Sequence, residues 1–536
     1  MSYLPSFPFR EAARRLSLMA ASALVLILTA WLGASPASAQ QPRHGDAVHG
    51  EGAMGSEPFD EEIPELPEEQ SSSTSHRVTI GGESVAYTAT AGNYLLREED
   101  GTPKASFFFI SYVRDVPEEE RARRPVIFAF NGGPGSSSVW LHLGLYGPRR
   151  VKMKAEGWAP APPYELVANE HSILDVADLV FIDPVTTGFS RAVPGVEDDE
   201  FHGVVEDIES VGELIRLWTG RNDRWASPKF LSGESYGTFR AAGLVNYLQE
   251  RHGMYFNGVL LVSSILQMQT ARFDVGNDLP CVLFLPTYTA TAWFHGQLPA
   301  DLQEAGLEAA VRQAREFARG PYASALMQGS GLPDEERRAT AAGLARFTGL
   351  SEEYVERTDL CVRIFRFTKE LLRDEGKTVG RLDSRFTGYD RDSAGESFDY
   401  DPSMSAIRGA YSTLLNDYVR RELEYDSDLP YEILTGRVHP WSYDDFAGRY
   451  ANMAEPLREA MTRNPALHVF VANGYYDLAT PFFATEYTFS HLGLPPELRG
   501  NISMAFYPAG HMMYIQESSL EAMRQDLLEA IDAAIP

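Results

Sequence analysis

Short apolar runs alternate with amphipathic stretches in two separate parts of this chain. That rhythm predicts a mostly parallel central sheet flanked by helices, an α/β architecture. His76–Tyr87 and Ala105–Val113 are rich in β-branched and aromatic residues, as antiparallel strands are. Pro125–Phe130 and Asp178–Asp183 are continuous apolar runs, the pattern of strands buried on both faces. Phe201–Thr219 has helical period, with Glu and Asp on its polar side. Pro228–Ser232 reads as a strand, Thr238–Leu248 as a helix and Gly258–Ser263 as a further strand. The rhythm returns late, with strands at Leu467–Gly474 and Asn501–Tyr507 and a closing helix over Ser518–Ile535.

Between about 270 and 440 the alternation stops. Leu302–Ala318, Asp334–Thr348, Glu352–Val362 and Ile364–Asp374 look helical, while Ala394–Pro402 is acidic, aromatic and loop-like. The expected organisation is a sheet domain in two parts, 76–269 and 441–536, with a largely helical cap insertion over 270–440. Residues 40–75 crowd Glu and Asp around Pro58, Pro64 and Pro67 before a Ser-rich run, and read as a disordered linker. Residues 1–39 read as a signal peptide: Arg10, Arg14 and Arg15, then an apolar Leu16–Leu32, then Ala37-Ser38-Ala39 as a cleavage site. The apolar run is too short to favour a permanent span, so the expected product is exported, periplasmic or secreted; an uncleaved anchor is the other reading. Arg14-Arg15 loosely matches a twin-arginine signal, so the export route stays open.

The 536 residues carry a formal charge of -28, which argues against nucleic acid or anionic membrane as the main partner. Two cysteines, Cys281 and Cys361, either pair after export or remain two buried thiols. With no matching His spacing they make no zinc site, and no metal or cofactor is called for. Oligomeric state is not legible here.

Candidate chemistry centres on Gly233-Glu234-Ser235-Tyr236-Gly237, a G-x-S-x-G pattern between a strand and a helix. Alone it is also an ordinary Gly-rich turn. In that setting the two glycines let backbone approach, and the sharp turn holds a serine hydroxyl out as a nucleophile. A serine nucleophile needs a base, and the base an orienting carboxylate. Asp477 follows the strand ending at Asn473-Gly474, and His511 follows the strand ending near Tyr507, which gives the Ser–Asp–His chain order of α/β-hydrolases. Asp477 as a turn residue and His511 as a structural imidazole are the alternatives. His439, His468 and His491 compete as the base, but His468 begins a strand and the others lack a Gly-flanked loop after one. Backbone N–H groups of Tyr236 and of the loop Asn131-Gly132-Gly133-Pro134-Gly135 would form the oxyanion hole.

Asn131-Gly132-Gly133-Pro134-Gly135-Ser136-Ser137-Ser138, Gly233–Gly237, the Asp477 loop and Gly510-His511-Met512 together resemble the serine carboxypeptidase family. Phe181-Ile182-Asp183-Pro184 with Gly188-Phe189-Ser190 resembles another of its blocks. The resemblance covers about residues 77–536, least in the cap. It implies an α/β-hydrolase fold and release of C-terminal amino acids from peptides through an acyl-enzyme. Ser235 would attack, His511 shuttle the proton and Asp477 hold His511. Gly133 and Tyr236 would bind the oxyanion. Asn131, Glu234 and Gly132 would bind the substrate, Asn131 and Glu234 taking its terminal carboxylate. Because two carboxylates in contact share a proton, an acidic optimum for peptides follows. The chain departs from the family at Ala129, usually Trp; at Ser136, usually Cys; and at Leu145, usually a further carboxylate-binding Glu. Arg149, Arg150 or the cap residue Arg381 are available substitutes. An esterase or acyltransferase on the same triad is the alternative function, and a catalytically silent binding protein a further one.

Overall fold

The computed structural model describes residues 66–535, so the signal segment and all of the linker up to residue 65 lie outside the described residues. Nine strands make up the path of one sheet. These are β1 (Ser71–Ile80), β2 (Glu83–Arg97), β3 (Pro103–Arg114), β4 (Val126–Phe130), β5 (Asp178–Ile182), β6 (Lys229–Glu234), β7 (Gly258–Val262), β8 (His468–Gly474) and β9 (Ile502–Tyr507). Their spatial order is β1-β2-β3-β5-β4-β6-β7-β8-β9, with the short strand Arg191–Ala192 added beside β3. From β5 to β9 every pairing is parallel; β1, β2 and β3 are antiparallel. β4, β5, β6 and β7 are buried at every position, which is why β4, β5 and β7 read as unbroken apolar runs rather than alternating ones.

Two details correct the sequence reading. His76–Tyr87 is not one strand: Gly81 and Gly82, at φ 56° and 87°, turn the chain into a tight hairpin between β1 and β2. Ser71–Ser75, assigned above to the linker, is the first half of β1 and pairs with Thr88–Gly92. This strand lies on the sheet's edge with every second side chain exposed, so its polar composition is compatible with pairing.

Helices α1 (Val204–Arg221), α2 (Tyr236–His252) and α5 (Ala454–Arg463) contribute to the apolar layer on one face. α6 (Glu517–Ala534) and residues Val139–Tyr146 contribute to the layer on the other. Between β7 and β8 the chain leaves the sheet and is mostly helical, including α3 (Leu279–Phe294) and α4 (Pro402–Arg421). α3 is apolar almost all round and buried, so it carries no amphipathic signal in the sequence. The predicted helix Leu302–Ala318 is two, Ala300–Ala305 and Leu307–Phe317, broken at Gly306 with φ 85°. α3 anchors a third apolar cluster that also takes in Tyr476, Leu478 and Phe482 from the segment after β8. No helix among the described residues is long and apolar enough to cross a membrane.

Cys281 and Cys361 are bonded, with Cα atoms 5.3 Å apart, tying α3 to the turn before Ile364–Glu370 across 80 positions. A bridge over so long a loop removes much of the unfolded chain's freedom. Replacing both cysteines with serine is expected to lower stability by about 2–4 kcal/mol. Denaturant unfolding of wild type and variant, each with and without reductant, measures this; identical midpoints in all the samples would show that the bridge staples nothing.

Candidate active site

Ser235 is the one residue between β6 and α2, at φ 60° and ψ -128°. A non-glycine residue at positive φ is strained, and here neighbouring contacts hold it. Its N–H donates to Val262 O of β7 (3.0 Å), and Thr238 N donates to its carbonyl (2.9 Å). The flanking glycines are steric necessities. A Cβ on Gly233 would lie 2.1 Å from Gly237 O, and one on Gly132 would lie 2.4 Å from Tyr236 N. The loop after β4 is therefore pressed against the start of α2, and this brings Gly132, Gly133 and the Tyr236 N–H beside Ser235.

Asp477, in the loop after β8, is fully buried and accepts four hydrogen bonds. They come from Ala479 N (2.8 Å), Thr480 N (3.0 Å), Thr480 Oγ1 (2.6 Å) and His511 Nδ1 (2.7 Å). The first two are those of a turn residue, and the last ties this loop to the one after β9. A carboxylate only accepts, so Nδ1 of His511 carries the proton and Nε2 is left as the acceptor. His511 is itself fixed by its backbone: its N–H donates to Leu382 O (2.6 Å) and its carbonyl accepts from Ser263 Oγ (2.7 Å). Burial opposes charge on the imidazole. Asp477, and then Glu234, outweigh burial and hold His511 above its ordinary value.

Glu234 is buried beside them. Burial pushes its carboxyl up to about 7, against the pull of His511 and of Tyr514, whose hydroxyl donates to Oε2 (2.5 Å). Asn131 lies close enough to favour the ionised form, yet its Nδ2 is buried with no hydrogen-bond partner. Its Oδ1 accepts from Leu141 N (3.1 Å), and its carbonyl from the buried Arg240, which is paired with Asp207. Asp183 ties down the same loop, accepting from Ser138 N and Oγ (both 2.8 Å) and from Tyr431 (2.7 Å).

Two cavities meet at Ser235. One, of about 410 Å³, is lined by Asn131, Gly132, Glu234 and His511. The other, of about 660 Å³, is lined by Tyr236, Phe284, Phe365, Trp441 and Tyr443. Gly133, Pro134, Ser235, Arg381 and His439 line both. Thus the structure gathers all eight sequence candidates, Ser235, Asp477, His511, Gly133, Tyr236, Asn131, Glu234 and Gly132, in one place. His439, set aside as a base above, nevertheless faces both cavities. Thr480 and Tyr514 carry no sequence signal. Leu145 and Ala129 are buried in apolar surroundings, and Ser136 hydrogen-bonds Ile433 O (3.2 Å). Arg149 and Arg150 are paired with Glu422 (2.7 Å) and Glu517 (3.1 Å). Among the described residues no group of three His, Cys, Asp or Glu side chains is placed to hold a metal.

A mostly parallel sheet with a strained serine between strand and helix, and an Asp–His pair on loops after later strands, defines an α/β-hydrolase. Residues 83–273 match the model of the serine carboxypeptidase family, peptidase family S10. Serine carboxypeptidase ctsa-3.2 of Caenorhabditis elegans is 30% identical over 149 residues, 27% of this chain and 26% of that protein. Pheromone-processing carboxypeptidase KEX1 of Saccharomyces cerevisiae is 34% identical over 132 residues, 23% of this chain and 16% of that protein. The matched stretches therefore span about a quarter or less of these relatives. Monoglyceride lipase of Saccharomyces cerevisiae is a structural neighbour at TM-score 0.34 and 10% identity, over 83% of this chain and 95% of that one. The strand order, not that likeness, defines the fold.

Proposed function

We propose that this protein is a serine-type carboxypeptidase that releases C-terminal amino acids from peptides through an acyl-enzyme. The observation that carries the reading is the buried Asp477–His511 pair sharing a site with Ser235 and with the unpartnered Asn131 Nδ2 beside Glu234. In this reading His511 Nε2 takes the Ser235 proton as Oγ attacks the terminal peptide carbonyl. The N–H groups of Gly133 and Tyr236 hold the oxyanion. His511 then passes the proton to the departing amine, and water repeats the sequence on the ester. The smaller cavity receives the departing residue, its carboxylate on Asn131 Nδ2 and protonated Glu234; the larger receives the acyl side. The insertion over 270–440 acts as a cap that closes the larger cavity. Its disulfide, with the basic and apolar N-terminal segment, supports export to an oxidising compartment.

Leu145, apolar where the family has a carboxylate-binding Glu, favours one second reading, an esterase or acyltransferase on the same triad. An N-blocked dipeptide with a free C-terminus, assayed beside its amide and a simple ester, separates the two. Preference for the free acid is expected, with a fluorophosphonate probe labelling Ser235. Ester turnover with the free-acid peptide untouched would overturn the carboxypeptidase reading.

A further inference from the structure

The segment after the short strand Lys377–Val379 runs between the two loops that carry Asp477 and His511. Arg381 O accepts from Leu478 N (3.1 Å), Leu382 O accepts from His511 N (2.6 Å), and Asp383 Oδ2 accepts from Gly510 N (3.1 Å). Arg381 N is held in turn by Asp401 Oδ1 (3.1 Å). The backbone of Arg381 is therefore fixed at both its N–H and its carbonyl, directly beside the Asp477–His511 pair.

The Arg381 side chain has no such engagement. It lines both cavities alongside Ser235, and among the described residues it makes no hydrogen bond or ion pair. Arg149 and Arg150, the other two substitutes named from the sequence, are committed to Glu422 and Glu517. Asp401, an acid on the wall of the larger cavity, caps α4 through Oδ1, which accepts from Ser403 N (2.9 Å) and from Arg381 N (3.1 Å), and it makes no ion pair with the Arg381 side chain. A guanidinium is a planar fork of donors that matches a carboxylate in two parallel hydrogen bonds. An unpaired one over a serine nucleophile is a site for an anionic group of the ligand. The anion available next to the scissile bond is the terminal carboxylate, since Glu234 and the Asn131 donor already mark that side.

We infer that Arg381 is a specificity-determining residue that binds the terminal carboxylate of the substrate, in place of the second glutamate that Leu145 removes. This rests on the carboxypeptidase reading above. The contact is an ion pair with bidentate hydrogen bonds, in which no proton need be shared.

The test compares wild type, Arg381→Gln and Arg381→Lys on the free-acid dipeptide, its amide and a simple ester. Arg381→Gln is expected to raise KM for the free acid about 10- to 100-fold, the loss typical of a hydrogen bond between charged groups. The loss on the ester and in the rate of fluorophosphonate labelling should be much smaller than the loss on the free acid, and Arg381→Lys should recover part of the latter. An unchanged ratio of free-acid to amide turnover in Arg381→Gln overturns the inference and leaves the carboxypeptidase reading standing. Equal losses on all three substrates assign Arg381 a structural role and overturn it too. A loss confined to peptides with Glu at the penultimate position overturns it in favour of side-chain recognition on the acyl side. Wild type that is labelled and cleaves the ester but ignores the free acid fails the underlying reading itself.

Discussion

Asp477→Asn is expected to cut kcat by about 10⁴-fold while leaving the fold intact. The carboxylate accepts from Ala479 N, Thr480 N, Thr480 Oγ1 and His511 Nδ1, all inside the protein. An amide of the same shape has one accepting oxygen and one donating nitrogen. Placed with its oxygen on the Ala479 and Thr480 N–H groups, it turns the NH2 toward His511 and forces the proton onto Nε2. The imidazole then faces Ser235 with a donor where an acceptor is required. The lost negative charge also leaves a protonated His511 unsupported at the moment it forms. Steady-state turnover of ester and peptide, with the rate of fluorophosphonate labelling, measures this. Activity within tenfold of wild type would remove Asp477 from the proposed mechanism.

Glu234→Gln is expected to reshape the pH profile for peptides. In the proposed mechanism Glu234 binds a terminal carboxylate best when protonated, and burial pushes its carboxyl up to about 7. Above that value wild-type kcat/KM for a free-acid peptide should fall by about tenfold per pH unit, while ester turnover does not. Charge on Glu234 also helps hold His511 above its ordinary value. Protonating Glu234 removes that push, so the neutral imidazole persists further into acid, and the two groups titrate as a pair. In Glu234→Gln the alkaline limb for peptides should disappear, while the acid limb, set by His511 beside an already protonated Glu234, should not move to lower pH; an alkaline limb that persists would refute this role of Glu234. Stability follows with a definite sign. An unfolded Glu234 titrates near 4.5 and the buried one at about 7, so across that window the unfolded chain has lost a proton that the native state keeps. Stability therefore falls as pH rises from 4.5 to about 7 and stays lower above it. Glu234→Gln should raise Tm above the window and leave it unchanged below.

Strands of the sheet are legible where burial on both faces leaves an unbroken apolar run, as in Val126–Phe130 and Gly258–Val262. Ser235, Asp477 and His511 stand out because each sits on a short loop at a strand end, where local spacing carries the signal. The sequence reading fails where tertiary contact decides. α3 is buried almost all round, so helical period is erased. Gly81-Gly82 divides an apparently continuous strand, a turn signal masked by its β-branched neighbours. Tyr514 reaches Glu234 across 280 positions, and Arg381 is carried to the site by backbone contacts made by itself and its neighbours. No local pattern marks either.

The stitching of Arg381–Ser384 bears on how this molecule can be taken apart. Leu478, Gly510 and His511 all donate to it, and Ser384 N donates back to Tyr476 O (3.0 Å). The insertion is thus no detachable module in engineering terms. A chimera joined at β7 and β8, with the intervening block exchanged for a foreign one, keeps its sheet and its serine turn. It loses the outer wall against which the acid and base loops are set, so grafts have to import the 381–384 segment together with the loops it braces.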